Sequence, residues 1–186
     1  MKTLCLIITL FFSINALAKL TLQTALNYTS DTDNDKTFEY TRLNGSLFIG
    51  ASIGKKDRLY LGQNVSQFTR TDNQDDTDSA EISVLEIGPK MVYYFNDTKT
   101  VYFQSTWNPY AQGDSTGAES KEISGWSYQV GLGYQLRVSR GFHLGASLNY
   151  HALNISEEKT SDGQATEVSK TYSSILPMIE LALHFR

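Results

Sequence analysis

The sequence predicts an all-β chain, an eight-stranded antiparallel up-and-down transmembrane β-barrel. Three observations predict it. Beyond residue 18, apolar and polar residues alternate with a period of two in eight separate stretches, the mark of half-buried strands. Short and long polar breaks alternate strictly between those stretches, which places every short turn at one end of the ring. Aromatic residues gather toward both ends of the stretches, as rings do at the two membrane–water interfaces.

Composition agrees. The chain has 186 residues and a net charge of −4, with 11 Tyr, 9 Phe and 2 Trp against 3 Pro. That richness in aromatics favours strands and excludes a disordered chain. An acidic balance argues against a nucleic-acid partner. The single Cys5 excludes a disulfide framework and a multi-Cys zinc site. A mean hydropathy of −0.31 excludes a helical membrane protein but not a barrel, whose strands are only half apolar.

Residues 1–18 read as a cleaved signal peptide. Lys2 supplies the positive start, Leu4 to Phe12 the apolar run, and Ala16-Leu17-Ala18 the small-residue cleavage site. The run is shorter than the roughly 20 residues of a spanning helix. Export leaves residues 19–186 as one barrel domain.

The elements follow in order. The first stretch sets Leu20, Leu22, Thr24, Leu26 and Tyr28 on one face, and the second Leu43, Gly45, Leu47, Ile49, Ala51 and Ile53. The third, about residues 58–69, carries Leu59, Leu61 and Val65. The fourth reads Leu85, Ile87, Pro89, Met91, Tyr93, Phe95, and the fifth Val101, Phe103, Ser105, Trp107. The sixth runs from Trp126 to Val138, the seventh from Phe142 to Tyr150, and the last from Ile175 to Phe185. Opposite faces are polar or small, as in Gln23, Asn27, Gln129, Gly131, His143, Ser147 and His151. Period alone does not say which face points inward. A soluble barrel turns its apolar face in around a ligand, whereas a membrane barrel turns it out to lipid. Tight breaks at 54–57, 96–99 and 139–141 against longer ones near 30–36, 70–80, 112–121 and 155–170 favour the membrane barrel. Several stretches exceed the ~10 residues of a crossing strand, so some are expected to project past the bilayer on the long-loop side.

With these features the mature chain resembles the small eight-stranded outer-membrane barrels of Gram-negative bacteria, the OmpX, OmpW and OmpA-transmembrane-domain group. The final strand, Ile179-x-Leu181-x-Leu183-x-Phe185, resembles that group's aromatic-ended assembly signal, though Arg186 follows it here. The resemblance implies recognition by the barrel-assembly machinery, residence in the outer membrane after Sec-type export, and contact with lipid and lipopolysaccharide. It implies architecture and leaves function open.

Five charged residues fall on the polar faces: Arg42, Glu86, Lys90, Arg137 and Glu180. So narrow a barrel is filled by side chains, and buried charges must be paired. They are expected to form a lumen ionic network, either a structural plug or a gate. Asp31, Asp33 and Asp35 begin like a calcium loop, but Lys36 stands where Gly is needed and Arg42 where the closing Glu belongs. Asp72, Asp75, Asp76 and Asp78 make a second acidic loop, while Lys55, Lys56, Arg58, Lys99 and Arg140 mark the short-turn end as basic. No metal site, cofactor or catalytic residue is expected.

The reading is a non-enzymatic surface or envelope barrel with a polar, plugged lumen, acidic external loops and an unidentified external ligand. The alternative is a small porin or hydrophobic-solute channel of the OmpW kind, with lateral openings marked by Pro89, Pro109 or Pro177. A weaker alternative is a lipid A-modifying enzyme built on a His. His151 lies nearest the loop end, with Ser156 or Ser173 as distant nucleophiles.

Overall fold

The computed structural model describes residues 19–32, 38–74, 78–117 and 119–185. The signal-peptide reading, and Asp33, Asp35, Asp75 and Asp76 of the acidic loops, lie outside the described residues. Among the described residues eight strands form: β1 (Leu20–Thr32), β2 (Phe38–Ile53), β3 (Leu59–Gln74), β4 (Asp78–Tyr94), β5 (Val101–Thr116), β6 (Lys121–Ser139), β7 (Phe142–Thr160) and β8 (Ala165–His184). Each pairs antiparallel with the next, and β8 pairs back with β1 to close the barrel.

The outward faces are those read from the period. Leu26, Ile49, Leu132, Leu148 and Ile179 are exposed, which in water would be an apolar belt without a partner and in a bilayer is a lipid-facing surface. Tyr28, Trp107, Trp126 and Tyr150 edge that belt on one side, and Tyr93, Tyr134 and Phe185 on the other. The third strand keeps the assigned phase, with Leu61 opposite Ala51 and Met91.

Short turns close one end. Gly54 and Gly141 take φ of 86° and 80° there, as do Asp57 and Lys99 at 50° and 57°. Gly141 is required twice over, since a Cβ would also stand 2.6 Å from the His184 carbonyl.

At the other end strands project past the belt as expected, but further than the expected loop bounds allow. The expected long loops are mostly strand: β7 runs to Thr160 and β8 starts at Ala165, leaving only 161–164 as the connection. Gly163, at φ 86°, closes it. Ser, Thr and Glu on both faces broke the apolar alternation, but the antiparallel ladder needs only backbone partners, which continue past the bilayer.

Two of the ladder irregularities fall at prolines. The β4–β5 register shifts between Ile87 and Lys90, around Pro89, and the β5–β6 register between Asn108 and Ala111, around Pro109. Among the described residues the β1–β8 ladder covers Thr21–Leu26 against His184–Ile179. It stops just short of Pro177, whose carbonyl accepts a 2.6 Å bond from the Asn27 side-chain amide. In an antiparallel strand a residue's N–H and C=O face the same neighbour, so the donor that proline lacks is missing on the seam side.

Candidate functional site: the packed lumen

Inward side chains fill the ring in layers. Near the short-turn end, Phe48, Tyr60, Val92, Tyr94 and Tyr102 form a buried cluster, with Tyr60 and Tyr94 edge to face at 5.8 Å. Toward the other end, Phe68, Ile82, Val84, Ala111, Ile123, Leu153 and Ile155 form a second, flanked by Val168 and Tyr172. The expected polar lumen is therefore polar only in its middle. The signal was present where apolar residues adjoin on both faces, as in Val84-Leu85 and Ile175-Leu176, since a face buried in protein is apolar as readily as one buried in lipid.

Two carboxylates organise the middle. Glu180 on β8 is 1% exposed. Its Oε1 accepts from Gln104 Nε2 at 2.9 Å and from the Ser147 hydroxyl, and its Oε2 from the Gln23 amide and the Tyr102 hydroxyl. Donors thus reach it from β1, β5 and β7. Gln104 also donates to Asn149 Oδ1 at 2.8 Å. Glu86 on β4 has its own set. Its Oε2 accepts from Ser66 Oγ at 3.0 Å, and its Oε1 meets His151 Nε2 at 2.8 Å. The His151 ring packs on Phe68 at 4.8 Å. The four donors to Glu180 are neutral and satisfy the buried carboxylate without a second ion touching it.

Of the five expected charges, Glu86, Lys90 and Glu180 are buried in the mid-lumen. Lys90 Nζ lies 5.3 Å over the Phe48 ring and feels the charge of Glu180. The other two are elsewhere. Arg42 sits above the apolar layer, its guanidinium 4.0 Å over the Tyr40 ring, which Arg70 also approaches at 4.8 Å. Arg70 is held in turn by Asp72 at 2.7 Å and lies 5.2 Å from the Tyr172 ring. Arg137 is exposed at the short-turn rim and donates to the Ser139 carbonyl at 3.2 Å. One five-membered network is corrected to two carboxylate centres, a cation–aromatic cap and a rim arginine, because the ring is longer than any one side chain reaches. Gln23, Ser66, Tyr102, Gln104, Ser147 and His151 were missed as partners. They stood on the predicted polar faces, but a search for charges passes over neutral donors.

Ile179, Leu181, Leu183 and Phe185 are exposed on the outer face beside the seam, where the Phe185 amide donates to the Leu20 carbonyl at 2.8 Å. Ser173 pairs with Ala152 and is exposed on the outer face, away from the buried His151. Ser156 is exposed and donates to the Ser124 carbonyl at 3.3 Å. Neither is brought to His151. Its cross-strand neighbour is Ser174, also inward and buried.

A closed antiparallel ring with an apolar belt outside, aromatic edges and a packed interior defines a class: the small transmembrane β-barrel of the outer-membrane type. No protein-family model matches the chain, and no curated protein matches its sequence. Among solved structures the fold is similar to Neisserial surface protein A (NspA), with a TM-score of 0.52 and 12% identity over 90% of this chain and 97% of that one. Lower scores are found for the β domain of the Bordetella autotransporter BrkA (0.49, 9% identity, 91% of this chain and 99% of that). The translocator domain of the autotransporter NalP from Neisseria meningitidis follows (0.45, 14% identity, 97% of this chain and 66% of that). At such identities the likeness is one of fold.

Proposed function

We propose that this chain is a non-enzymatic outer-membrane surface or envelope protein whose lumen is a structural plug. Its specificity resides in the strand extensions and acidic loops at the far end from the short turns. The observation that carries the reading is Glu180, bonded to Gln23, Tyr102, Gln104 and Ser147 from three other strands. A carboxylate so satisfied ties opposite walls together across the lumen, and the clusters above and below it leave side chains where a path would run. On this reading the outer belt contacts lipid and lipopolysaccharide, the Ile179–Phe185 stripe serves the barrel-assembly machinery, and the loops meet an external ligand.

The test is single-channel recording from refolded residues 19–186 in planar bilayers, after heat-modifiable gel mobility verifies folding. A flat trace, in the wild type and in Glu86→Ala, is expected. Discrete, reproducible openings would overturn the plug and make Glu86 and Glu180 gating groups of a small pore.

A further inference from the structure

We infer that the short-turn mouth of the barrel is a binding site for a phosphoryl anion. The inference concerns the end facing away from the acidic loops, and only its biological setting, the periplasmic side, rests on the function proposed above.

A cavity of about 340 Å³ opens at this mouth. Lys19, Lys56, Lys99 and Arg137 line it, against Asp57 and Asp97. Both carboxylates are already taken. Asp57 accepts from the Lys19 ammonium and, at 3.1 Å, from Ser52 Oγ, and Asp97 accepts from Arg58 Nε at 2.8 Å. Lys56 and Arg137 bring further positive charge to the lining. Arg137 donates to a neutral backbone carbonyl, while Lys99 donates to the Tyr60 hydroxyl, lies 4.5 Å over its ring and also acts on the Asp57 carboxylate. A bond to a neutral carbonyl leaves the Arg137 charge for a ligand.

The floor supplies the second observation. His143 and His184 line the cavity with their rings 4.8 Å apart. His184 is fixed between Tyr60 and Tyr94, at 5.5 and 5.6 Å. His143 is only 6% exposed, and its Nδ1 and both ring nitrogens of His184 are buried without a hydrogen-bond partner. Each neutral imidazole carries one N–H donor, and a buried donor left unmade costs free energy. An anion that enters the mouth supplies the acceptor that the protein withholds.

Geometry selects a phosphoryl group among anions. The donors come from different sides: Lys56 and Lys99 from two turns, Arg137 from β6, His143 from β7 and His184 from β8. A tetrahedral group with several acceptor oxygens meets donors from many directions, and the guanidinium fork grips two of those oxygens at once. A planar carboxylate meets fewer. The cavity wall also includes Leu136 and Phe185 at the edge of the lipid-facing belt. The phosphate of a bilayer lipid headgroup and a free phosphate therefore present the same chemistry to the same donors.

The test uses the folded barrel (residues 19–186) in an uncharged maltoside micelle. It is titrated with pyrophosphate and, separately, with a short-chain phosphatidylglycerol, followed by ³¹P NMR and histidine side-chain ¹⁵N shifts. Saturable binding that moves the His143 and His184 signals is expected, weakened tenfold or more in Lys56→Gln/Arg137→Gln. Lys55→Gln, on the same turn but outside the cavity lining, is expected to bind as wild type. Saturation by both ligands, or by either one, supports the site and says whether lipid or solute fills it. Absence of saturation by a barrel of verified fold overturns the inference. So does an equal loss in Lys55→Gln, which would mean diffuse charge, or succinate binding as tightly as pyrophosphate. Channel openings in planar bilayers would overturn the plug and leave this titration standing, so the two failures are distinguishable.

Discussion

Glu86 on β4 and His151 on β7 meet across the barrel, Oε1 to Nε2 at 2.8 Å, with neither side chain exposed. The pair joins strands separated by two others on one path round the ring and by four on the other, so it braces the wall rather than one hairpin. Removing one partner strands the other in a dry interior. Glu86→Ala is expected to destabilise the folded barrel by about 3–5 kcal/mol, and Glu86→Gln by less, since an amide still accepts from Ser66. Urea unfolding in lipid vesicles, followed through Trp107 and Trp126, measures both. Equal stability of Glu86→Ala and wild type would show that the brace carries no load.

Glu180 and Lys90 form a buried pair of opposite charges. The carboxylate neutralises the lysine's field from beyond direct contact, while the ammonium rests on the Phe48 ring. Glu180→Gln removes that compensation and leaves a buried cation, at a cost of about 3–5 kcal/mol. Lys90→Met in the same chain removes the stranded charge. The double variant is therefore expected to be more stable than Glu180→Gln alone, a coupling of about 0.5–3 kcal/mol for residues in one network. Strict additivity in a double-mutant cycle would show that the two charges do not sense each other.

The legible and illegible parts of the chain divide by how each residue is constrained. Leu26, Leu132, Ile179 and their neighbours were readable because lipid demands apolar side chains at every second position, a rule that leaves a period. Glu86, Lys90 and Glu180 were readable because a charge on an inward face of a narrow barrel has nowhere to go but the lumen. Their partners follow no period. Gln23, Tyr102 and Ser147 reach Glu180 from strands far apart in sequence, and only closure of the ring fixes which of many polar residues stand opposite. Arg42 and Arg137 share the inward phase of Glu86, but phase gives a face and not a depth. That strands project past the bilayer was legible in their length, but how far they run was not, because Glu157, Glu158 and Thr166 pair through their backbones, which leaves no side-chain signature.

Those extensions carry an electrostatic clamp. Glu158 accepts from Lys170 at 2.5 Å and from Lys121 at 3.5 Å, tying the β7–β8 hairpin to β6 beyond the membrane belt. The hydrogen bond from Lys170, partly offset by burial, holds the Glu158 carboxyl below its ordinary value of 4.5. A carboxyl depressed in the folded state stabilises it above the unfolded value, and that contribution is lost as pH falls below 4.5 through the folded value. Lys170 is raised above 10.5 by the same bond, so its share is present below that value and lost only as pH rises past it. The pair is near the surface, where such bridges give about 0–1 kcal/mol. Hydrogen exchange is therefore the suitable probe. After correction for intrinsic rates, amides of 155–170 are expected to exchange faster at pH 3 than at pH 7, and Glu158→Gln should flatten that dependence. A wild-type hairpin indifferent to pH would refute the clamp.

The seam between β1 and β8 has the shortest ladder among the described residues, and the Asn27 amide bonds just past its end. Pro177 brings no donor to that seam, so its carbonyl would be left without a partner if the Asn27 amide did not reach it at 2.6 Å. A backbone carbonyl near the membrane belt has little water to turn to. Asn27→Ala is expected to cost about 1 kcal/mol in vesicle unfolding, the net worth of one such bond. It should also raise exchange selectively at Thr24–Leu26, the pairs just below the break. Pro177→Thr acts in the opposite sense: it restores an N–H on the seam side and allows the β1–β8 ladder to extend past Leu26. Slower exchange at Asn27 and Tyr28 in that variant, with the barrel still heat-modifiable, is the expected outcome. Unchanged exchange in Pro177→Thr would mean that strand divergence, and not the missing donor, ends the ladder.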